Sequence, residues 1–228
     1  GYYCNPIQYA EHRKTLENVI CIAGKFGATH VSTFAGAWEG KPVESAYEEF
    51  GKVFRELADL AEEKGVKLGI ENCLMDGTWE HATCNIGFNP KAWEVMFEEV
   101  KNDNFGLEWE PTHQMVQLID PVTELRKWCK KIVHIHGKDA TIDWDAVRHS
   151  GISGAVPFVW HRMPGFGDTN WRDIISILRS NGYEDDICIE GYHDPVYSGE
   201  LEMTGQLHAL NYLKWCRGGE FTPTPWAK

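Results

Sequence analysis

The chain has 228 residues, with 34 acidic side chains against 22 Lys and Arg and a formal net charge of −12. Such a surface repels phosphate, so we expect no nucleic-acid partner and no anionic membrane partner. No apolar run is long enough to cross a bilayer, and seven cysteines without a CxxC pair predict reduced thiols in a cytoplasmic protein.

Strands and helices alternate along the chain. Residues 1–4 predict a short first strand, and five more strands are predicted at 30–34, 66–70, 105–109, 132–136 and 186–190. Helices with one apolar face are predicted at 9–26, 42–64, 90–100, 121–128, 171–179 and 203–216, with Pro42 at the first position of the second helix. The stretches 73–88 and 137–169 have no period and are predicted as long loops.

This alternation predicts a parallel sheet covered by helices. Both a doubly wound sheet and a βα barrel fit the order. Since nothing like GxGxxG follows the first strand, the pattern argues against a dinucleotide-binding sheet.

Four consecutive predicted strands end in a side chain that can bind a divalent cation: Glu71, Glu110, His136 and Glu190. In a βα barrel the C-terminal strand ends carry the active site. Three carboxylates and one imidazole suit Mn²⁺, Mg²⁺ or Co²⁺, and Zn²⁺ is also compatible. We therefore predict one divalent cation at these strand ends, with Mn²⁺ as the preferred ion.

Five motifs resemble the sugar phosphate isomerase/epimerase family of the xylose-isomerase-like TIM barrel superfamily. They are Gly69-Ile-Glu-Asn72, Glu110-Pro-Thr-His113, Val133-His-Ile-His-Gly-Lys-Asp139, Arg162-Met-Pro-Gly-Phe-Gly167 and Ile187-Cys-Ile-Glu190. Each motif alone is weak, but the five occur in the right order and cover nearly the whole chain. The resemblance implies a (β/α)8 TIM barrel whose partner is a small sugar or sugar derivative.

The resemblance also implies residue roles. The family's metal ligands match Glu71, Glu110, His136 and Glu190, and in the family's epimerases the counterparts of Glu71 and Glu190 flank the reacting carbon and exchange its proton. His113 matches a histidine near the substrate oxygens, and Arg162 matches an arginine that contacts substrate. These roles imply a metal-dependent isomerase or epimerase that works through an enediolate.

Two departures from the family pattern accompany the resemblance. Glu110 stands where the family has Asp, which makes this ligand one methylene longer. The family barrel has eight strands and only about six are predicted here, so we expect the first two βα units to precede Gly1 or another chain to close the sheet. Residues 1–217 are predicted as a single barrel domain and 218–228 as a C-terminal tail, with an oligomer as a plausible assembly.

Three further side chains are candidate substrate contacts. Trp109 is one of several aromatic residues near the predicted strand ends, and His161 directly precedes the matched arginine. Lys138 follows the fifth strand, although a surface lysine is an equally good interpretation. Two residues deeper along their strands, His134 is predicted as a core residue and Glu108 as a barrel-layer or supporting carboxylate.

Three alternative functions remain open from the sequence. A lyase or dehydratase of the same family would eliminate a β-substituent from the same enediolate, including the cleavage of carbon-linked glycosides. A phosphodiesterase resembling endonuclease IV is disfavoured, since Phe34-Ala-Gly36 and Val159-Trp-His161 replace its His-Pro-Gly and DxH motifs. A non-catalytic sugar-binding barrel is the third alternative.

Overall fold

A computed structural model describes residues 4–220 and 222–224 of the chain, which divides into two compact units. The first unit extends to His136 and includes Asp185–Cys188, and the second comprises Gly137–Glu184 and the chain from Ile189 onward. The strand predicted at residues 1–4 lies outside the described residues, except for Cys4.

The first unit is built on parallel strands. Its elements are α1 (Ala10–Ala23), β1 (His30–Thr33), α2 (Tyr47–Glu63), β2 (Lys67–Glu71), α3 (Pro90–Glu99), β3 (Phe105–Trp109), α4 (Pro111–Met115), α5 (Pro121–Trp128) and β4 (Ile132–Gly137). A further strand, β7 (Ile187–Ile189), completes a five-stranded sheet in the order β1-β2-β3-β4-β7. The predicted parallel sheet is confirmed, and its strand order follows the chain order.

Two helices of the first unit begin at capping residues that the sequence supplies. Asn89 accepts a hydrogen bond from the backbone N–H of Ala92, and Asp120 accepts one from Thr123, so both predicted starts are confirmed. The predicted start at Pro42 was wrong. Pro42 precedes a short 3-10 turn, and α2 begins only at Tyr47.

The described pairings of β1 with β2 and of β2 with β3 are regular, and the pairing of β3 with β4 shifts at one place. Glu71 pairs with Glu108, and Glu108 pairs with His134. Between Leu107 and Glu108 the pairing of β3 with β4 shifts, as in a β-bulge. Such irregularities redirect side chains and often lie beside active sites.

The second unit contains structure where the sequence predicted a loop at 137–169. Strands β5 (Asp139–Ile142) and β6 (Val159–Arg162) form an antiparallel pair, and α6 (Trp144–Ser150) lies between them in the chain. Asp143 caps α6 by accepting hydrogen bonds from Asp145 and Ala146. The unit also contains α7 (Trp171–Ser180) and α8 (Glu202–Arg217). Among the described residues, no helix is long and apolar enough to span a membrane.

Candidate metal centre

The end of the parallel strands brings together three of the four predicted ligands. Glu71 is the last residue of β2, Glu110 follows β3 directly, and His136 is the penultimate residue of β4. One potential ligand atom from each of these three side chains lies within 4.8 Å of the other two. Glu110 is fully buried, whereas Glu71 and His136 are partly exposed.

His113 lies against the carboxylates of this group. It belongs to α4, a short helix that the sequence analysis missed, and its Nε2 is 2.5 Å from Glu110 Oε1 and 3.7 Å from Glu71 Oε1. Burial alone would lower the pKa of His113, but the charge of Glu110 and contacts with Cys73 and Glu71 raise it well above its ordinary value. Without a cation, these contacts therefore favour the charged form of the imidazole.

The carboxyl of Glu71 also has a raised pKa in these surroundings. Burial raises the pKa of its carboxyl above the ordinary value, and the charges of Glu110 and Glu108 add to this, although the contact with His113 opposes it. A carboxylate whose pKa is raised is a stronger base, which suits proton transfer.

Glu108 supports His136 from the deeper side. Its Oε1 lies 2.9 Å from His136 Nε2, while His136 Nδ1 is 3.5 Å from Glu110 Oε2. Histidine ligands of metals are commonly oriented by a carboxylate on the other ring nitrogen. The contacts of Glu108 thus match the supporting carboxylate predicted from the sequence.

Deeper still, His134 is buried with 4% of its surface exposed, which confirms its predicted place in the core. Its ring stacks on that of His30 with centroids 3.9 Å apart. Burial and the neighbouring His30 lower the pKa of His134 to about 4, so this imidazole is neutral at physiological pH.

Two asparagines that the sequence analysis did not assign hold the ligand backbone. Asn72 donates to the carbonyl oxygen of Glu110 and accepts from its N–H, both at 2.9 Å. Asn85 donates to the carbonyl oxygens of Glu71 and Cys73 at 2.9 and 2.8 Å. Asn72 could have been found as the neighbour of a ligand, whereas Asn85 lies in a stretch without any period.

Cys73 adds a softer donor beside the carboxylates. A ligand atom of Cys73 lies within 4.8 Å of atoms from Glu71 and His113. The sequence predicted only reduced thiols for the cysteines, and no motif indicated a cysteine at this position.

The predicted ligand Glu190 belongs to the second unit and forms a close ion pair there. Lys138 Nζ donates to Glu190 Oε1 at 2.6 Å, and the backbone N–H of Glu190 donates to the carbonyl of Gly137 at 3.1 Å. Lys138 is only 3% exposed, so its interpretation as a surface lysine was wrong.

The arginine loop, residues 162–167 of the second unit, is anchored by two buried acids. Arg162 Nε donates to Asp194 Oδ2 at 3.3 Å, and its guanidinium carbon lies 5.8 Å from the centroid of the Phe166 ring. His161 meets His193 edge to face, with ring centroids 5.5 Å apart. Asp139, buried beneath the loop, accepts hydrogen bonds from Gly165, Thr169 and Trp171.

Trp109 has the surroundings of a core side chain. It is fully buried, and its indole N–H donates to Gln114 Oε1 at 2.8 Å. These contacts account for the indole without a substrate, and its assignment as a substrate contact stays a prediction.

The residues at the strand ends fit a divalent cation. Two carboxylates and an imidazole converge from separate strands, and the two Glu110 oxygens lie 2.5 Å from His113 Nε2 and 3.5 Å from His136 Nδ1. Carboxylate-rich sets favour Mn²⁺ or Mg²⁺, and one imidazole with carboxylates also accommodates Zn²⁺.

Residues 4–214 match the model of the xylose isomerase-like TIM barrel family. The chain belongs to this family. The (β/α)8 fold class predicted from the sequence is thereby confirmed, and the described residues supply five parallel strands of such a barrel.

Proteins similar to this chain that have curated names or solved structures include several enzymes. An inosose dehydratase of Clostridium tetani is 26% identical over 182 residues, which cover 78% of this chain and 57% of the relative. A D-psicose 3-epimerase structure has a TM-score of 0.69 at 15% identity, covering 96% of this chain and 76% of that one. The zinc-containing IOLI protein has a TM-score of 0.63 at 21% identity, with 91% and 68% covered. The chain therefore spans little more than half of this curated relative's length.

Proposed function

We propose that the protein is a divalent-metal-dependent isomerase or epimerase of a sugar or related polyol, which removes a proton from the carbon next to a carbonyl. The observation that carries this proposal is the convergence of Glu71, Glu110 and His136 within 4.8 Å at the strand ends. His113, in contact with two of these side chains, supplies a hydrogen-bond donor beside them.

Glu71, Glu110 and His136 would hold the cation, with Glu190 as the fourth ligand assigned from the sequence. A bound divalent cation would polarise the substrate carbonyl and stabilise negative charge on its oxygen. Mn²⁺ is the preferred ion from the donor set, and the zinc in the IOLI neighbour makes Zn²⁺ the next choice.

The protein's own residues would then move and guide the proton. Glu71, whose pKa is raised by burial, would take the proton from carbon, and Glu190, entering the reaction in its protonated form, would return one. Lys138 would orient the Glu190 carboxyl through their 2.6 Å contact. His113 and Arg162 would donate hydrogen bonds to substrate hydroxyls and to the developing oxyanion.

A dehydratase is the second candidate, because the curated relative from Clostridium tetani is an inosose dehydratase. Its first step would be the same proton removal. The electron pair would then form a double bond as hydroxide leaves the adjacent carbon, and the released proton and hydroxide balance as water.

The two candidates are separated by their products. The Mn²⁺-loaded protein would be incubated with a panel of ketoses and cyclitol ketones, and the products followed by NMR and ultraviolet absorption. An epimerised or isomerised sugar without loss of water supports the proposal. A conjugated product formed with loss of water supports the dehydratase. If the protein converts no compound of the panel after loading with Mn²⁺ or Zn²⁺, that result would count against both candidate functions.

A further inference from the structure

A second group of cation-binding side chains lies deeper in the first unit than the predicted metal centre. It comprises His30 at the start of β1, Glu108 in β3 and His134 in β4. One ligand atom from each lies within 4.8 Å of the other two. Glu108 and His134 are each 4% exposed, and His30 is half-buried.

We propose that His30, Glu108 and His134 form a second divalent-cation site, distinct from Glu71, Glu110 and His136 and suited to a zinc-like ion. Two imidazoles with one carboxylate are a recurrent ligand set for Zn²⁺ and Fe²⁺. Glu71, Glu110 and His136, the upper site, have the carboxylate-rich composition that Mn²⁺ prefers. The two sites therefore differ in the ion that each prefers.

The placement of the three side chains is unusual for a barrel interior, which is normally filled by branched apolar residues. Glu108 is the direct register neighbour of His134, and the His30 and His134 rings are stacked with centroids 3.9 Å apart. Thr29 Oγ1 lies 3.2 Å from His30 Nδ1, which leaves Nε2 as the nitrogen for a cation. A buried charged group is costly unless it is paired, and a cation would satisfy the carboxylate and both rings together.

A second observation comes from Ser32. It lies two residues beyond His30 on β1, on the same face of the strand. Its hydroxyl oxygen is buried and has no hydrogen-bond partner within the part of the chain that the structure describes. A buried unsatisfied polar atom in a native protein commonly marks a bound water or ion. An ion at the deeper site, with its remaining coordination filled by water, would provide that partner.

Glu108 links the two sites. One of its oxygens lies 2.9 Å from His136 Nε2, so the other oxygen is the one offered to the deeper ion. Loading the deeper site would fix Glu108 and, through it, the ring of His136. The deeper ion would position Glu108 and His136 and would not contact substrate. The inference of this site does not depend on whether the proposed reaction is correct.

Metal counting on the whole protein tests this inference. The protein would be stripped with a chelator, loaded with Zn²⁺ or with Co²⁺ as a spectroscopic probe, dialysed and analysed for metal per chain. We expect two ions in the wild-type protein and one in His30→Gln, whose altered side chain is half-buried and tolerant of replacement. His149→Gln, which changes an exposed helix residue, is the matched control and should keep two ions.

Glu110→Gln distinguishes the two sites. This variant should lose the upper ion and keep the deeper one. It should therefore keep the visible absorption bands of Co²⁺ at the deeper site, which His30→Gln should lack. The inference is overturned if His30→Gln binds as many ions as the wild type, whether one or two. If the wild type binds a single ion that is lost in His30→Gln and kept in Glu110→Gln, the deeper site stands and the upper ligand set fails. Circular dichroism of each variant verifies that it is folded.

Discussion

Asn72 fixes the most buried ligand of the candidate centre by its backbone. Its side-chain amide bonds both the N–H and the carbonyl oxygen of Glu110, and it is itself fully buried. Supporting hydrogen bonds of this kind orient metal ligands, and their loss commonly reduces metal affinity. Asn72 is therefore a positioning residue for Glu110.

Replacing Asn72 by Ala should weaken Mn²⁺ binding about 10–100-fold. Because the N–H and carbonyl of Glu110 would lose their partner, the free energy of unfolding should fall by roughly 1–3 kcal/mol. Isothermal titration and urea unfolding measure the two effects. Asn102→Ala removes a half-buried amide that bonds Asp59 and Glu62, and should leave Mn²⁺ affinity unchanged. Wild-type affinity in Asn72→Ala would refute the positioning role.

His113 predicts a specific pH dependence of the metal-free protein. Its folded pKa is raised, because the charge of Glu110 and its contacts outweigh the opposing effect of burial. The stabilisation is thus complete below the unfolded value of about 6.5 and is lost as the pH rises through the folded pKa. Urea unfolding of chelator-treated protein should show this decline, and His113→Gln should lack it. An equal decline in His113→Gln and in the exposed control His149→Gln would contradict the assignment.

The ligand types could be predicted from the sequence because strand periodicity places Glu71, Glu110 and His136 at strand ends. The support from Asn85 could not be predicted, since Asn85 lies in an irregular loop 14 residues beyond Glu71 in the chain. Its role depends on how the loop folds back, which no local pattern encodes.

At the scale of elements, the antiparallel pair β5–β6 was the main structure missed. β4 ends at Gly137 and β5 begins at Asp139, so only Lys138 separates strands of two different sheets. Both new strands have only four residues, and α6 between them has seven. Segments this short carry too few repeats for a period to be recognised.

Asp139 is the acid that holds the arginine loop to this pair. Its carboxylate accepts from Ala140, Gly165 and Thr169 N–H groups and from the Trp171 indole. Replacing Asp139 by Ala should accelerate amide hydrogen exchange across residues 163–171 and lower the free energy of unfolding by roughly 2–4 kcal/mol.

Asp143→Ala is the control for that experiment, because Asp143 only caps α6 and its loss should cost about 1 kcal/mol. Exchange within 163–171 should remain at the wild-type rate in this control. If both variants exchange alike in the loop, Asp139 is not its anchor.

For the whole molecule, the fold class could be predicted because alternating strands and helices restrict the chain to a parallel sheet with covering helices. The ordered motifs then selected the barrel family, which the match over residues 4–214 confirms. The division into two compact units could not be predicted, since one boundary follows the strand predicted at 132–136 directly and another falls within the strand predicted at 186–190.

A cation that binds only the folded protein should raise its melting temperature. At a free Mn²⁺ concentration 100 times the dissociation constant, the gain is about 2.7 kcal/mol. For a chain of this length the gain corresponds to a shift of about 5–10 °C, which a chelator should reverse. Calorimetry with and without EDTA measures it, and Glu110→Gln should show a much smaller shift. If the wild type and Glu110→Gln, each with Mn²⁺ or with EDTA, all melt at the same temperature, that result would argue against a metal centre.

The most direct measurement of the proposed chemistry is the uptake of solvent deuterium from D₂O. The Mn²⁺-loaded protein would be incubated with the ketose or cyclitol ketone that it converts, and the substrate and product analysed by NMR. The proposal predicts deuterium at the carbon next to the carbonyl with the wild-type protein, and its loss in Glu71→Gln at equal metal content. Turnover without deuterium at that carbon, or unchanged incorporation in Glu71→Gln, would contradict proton removal by Glu71.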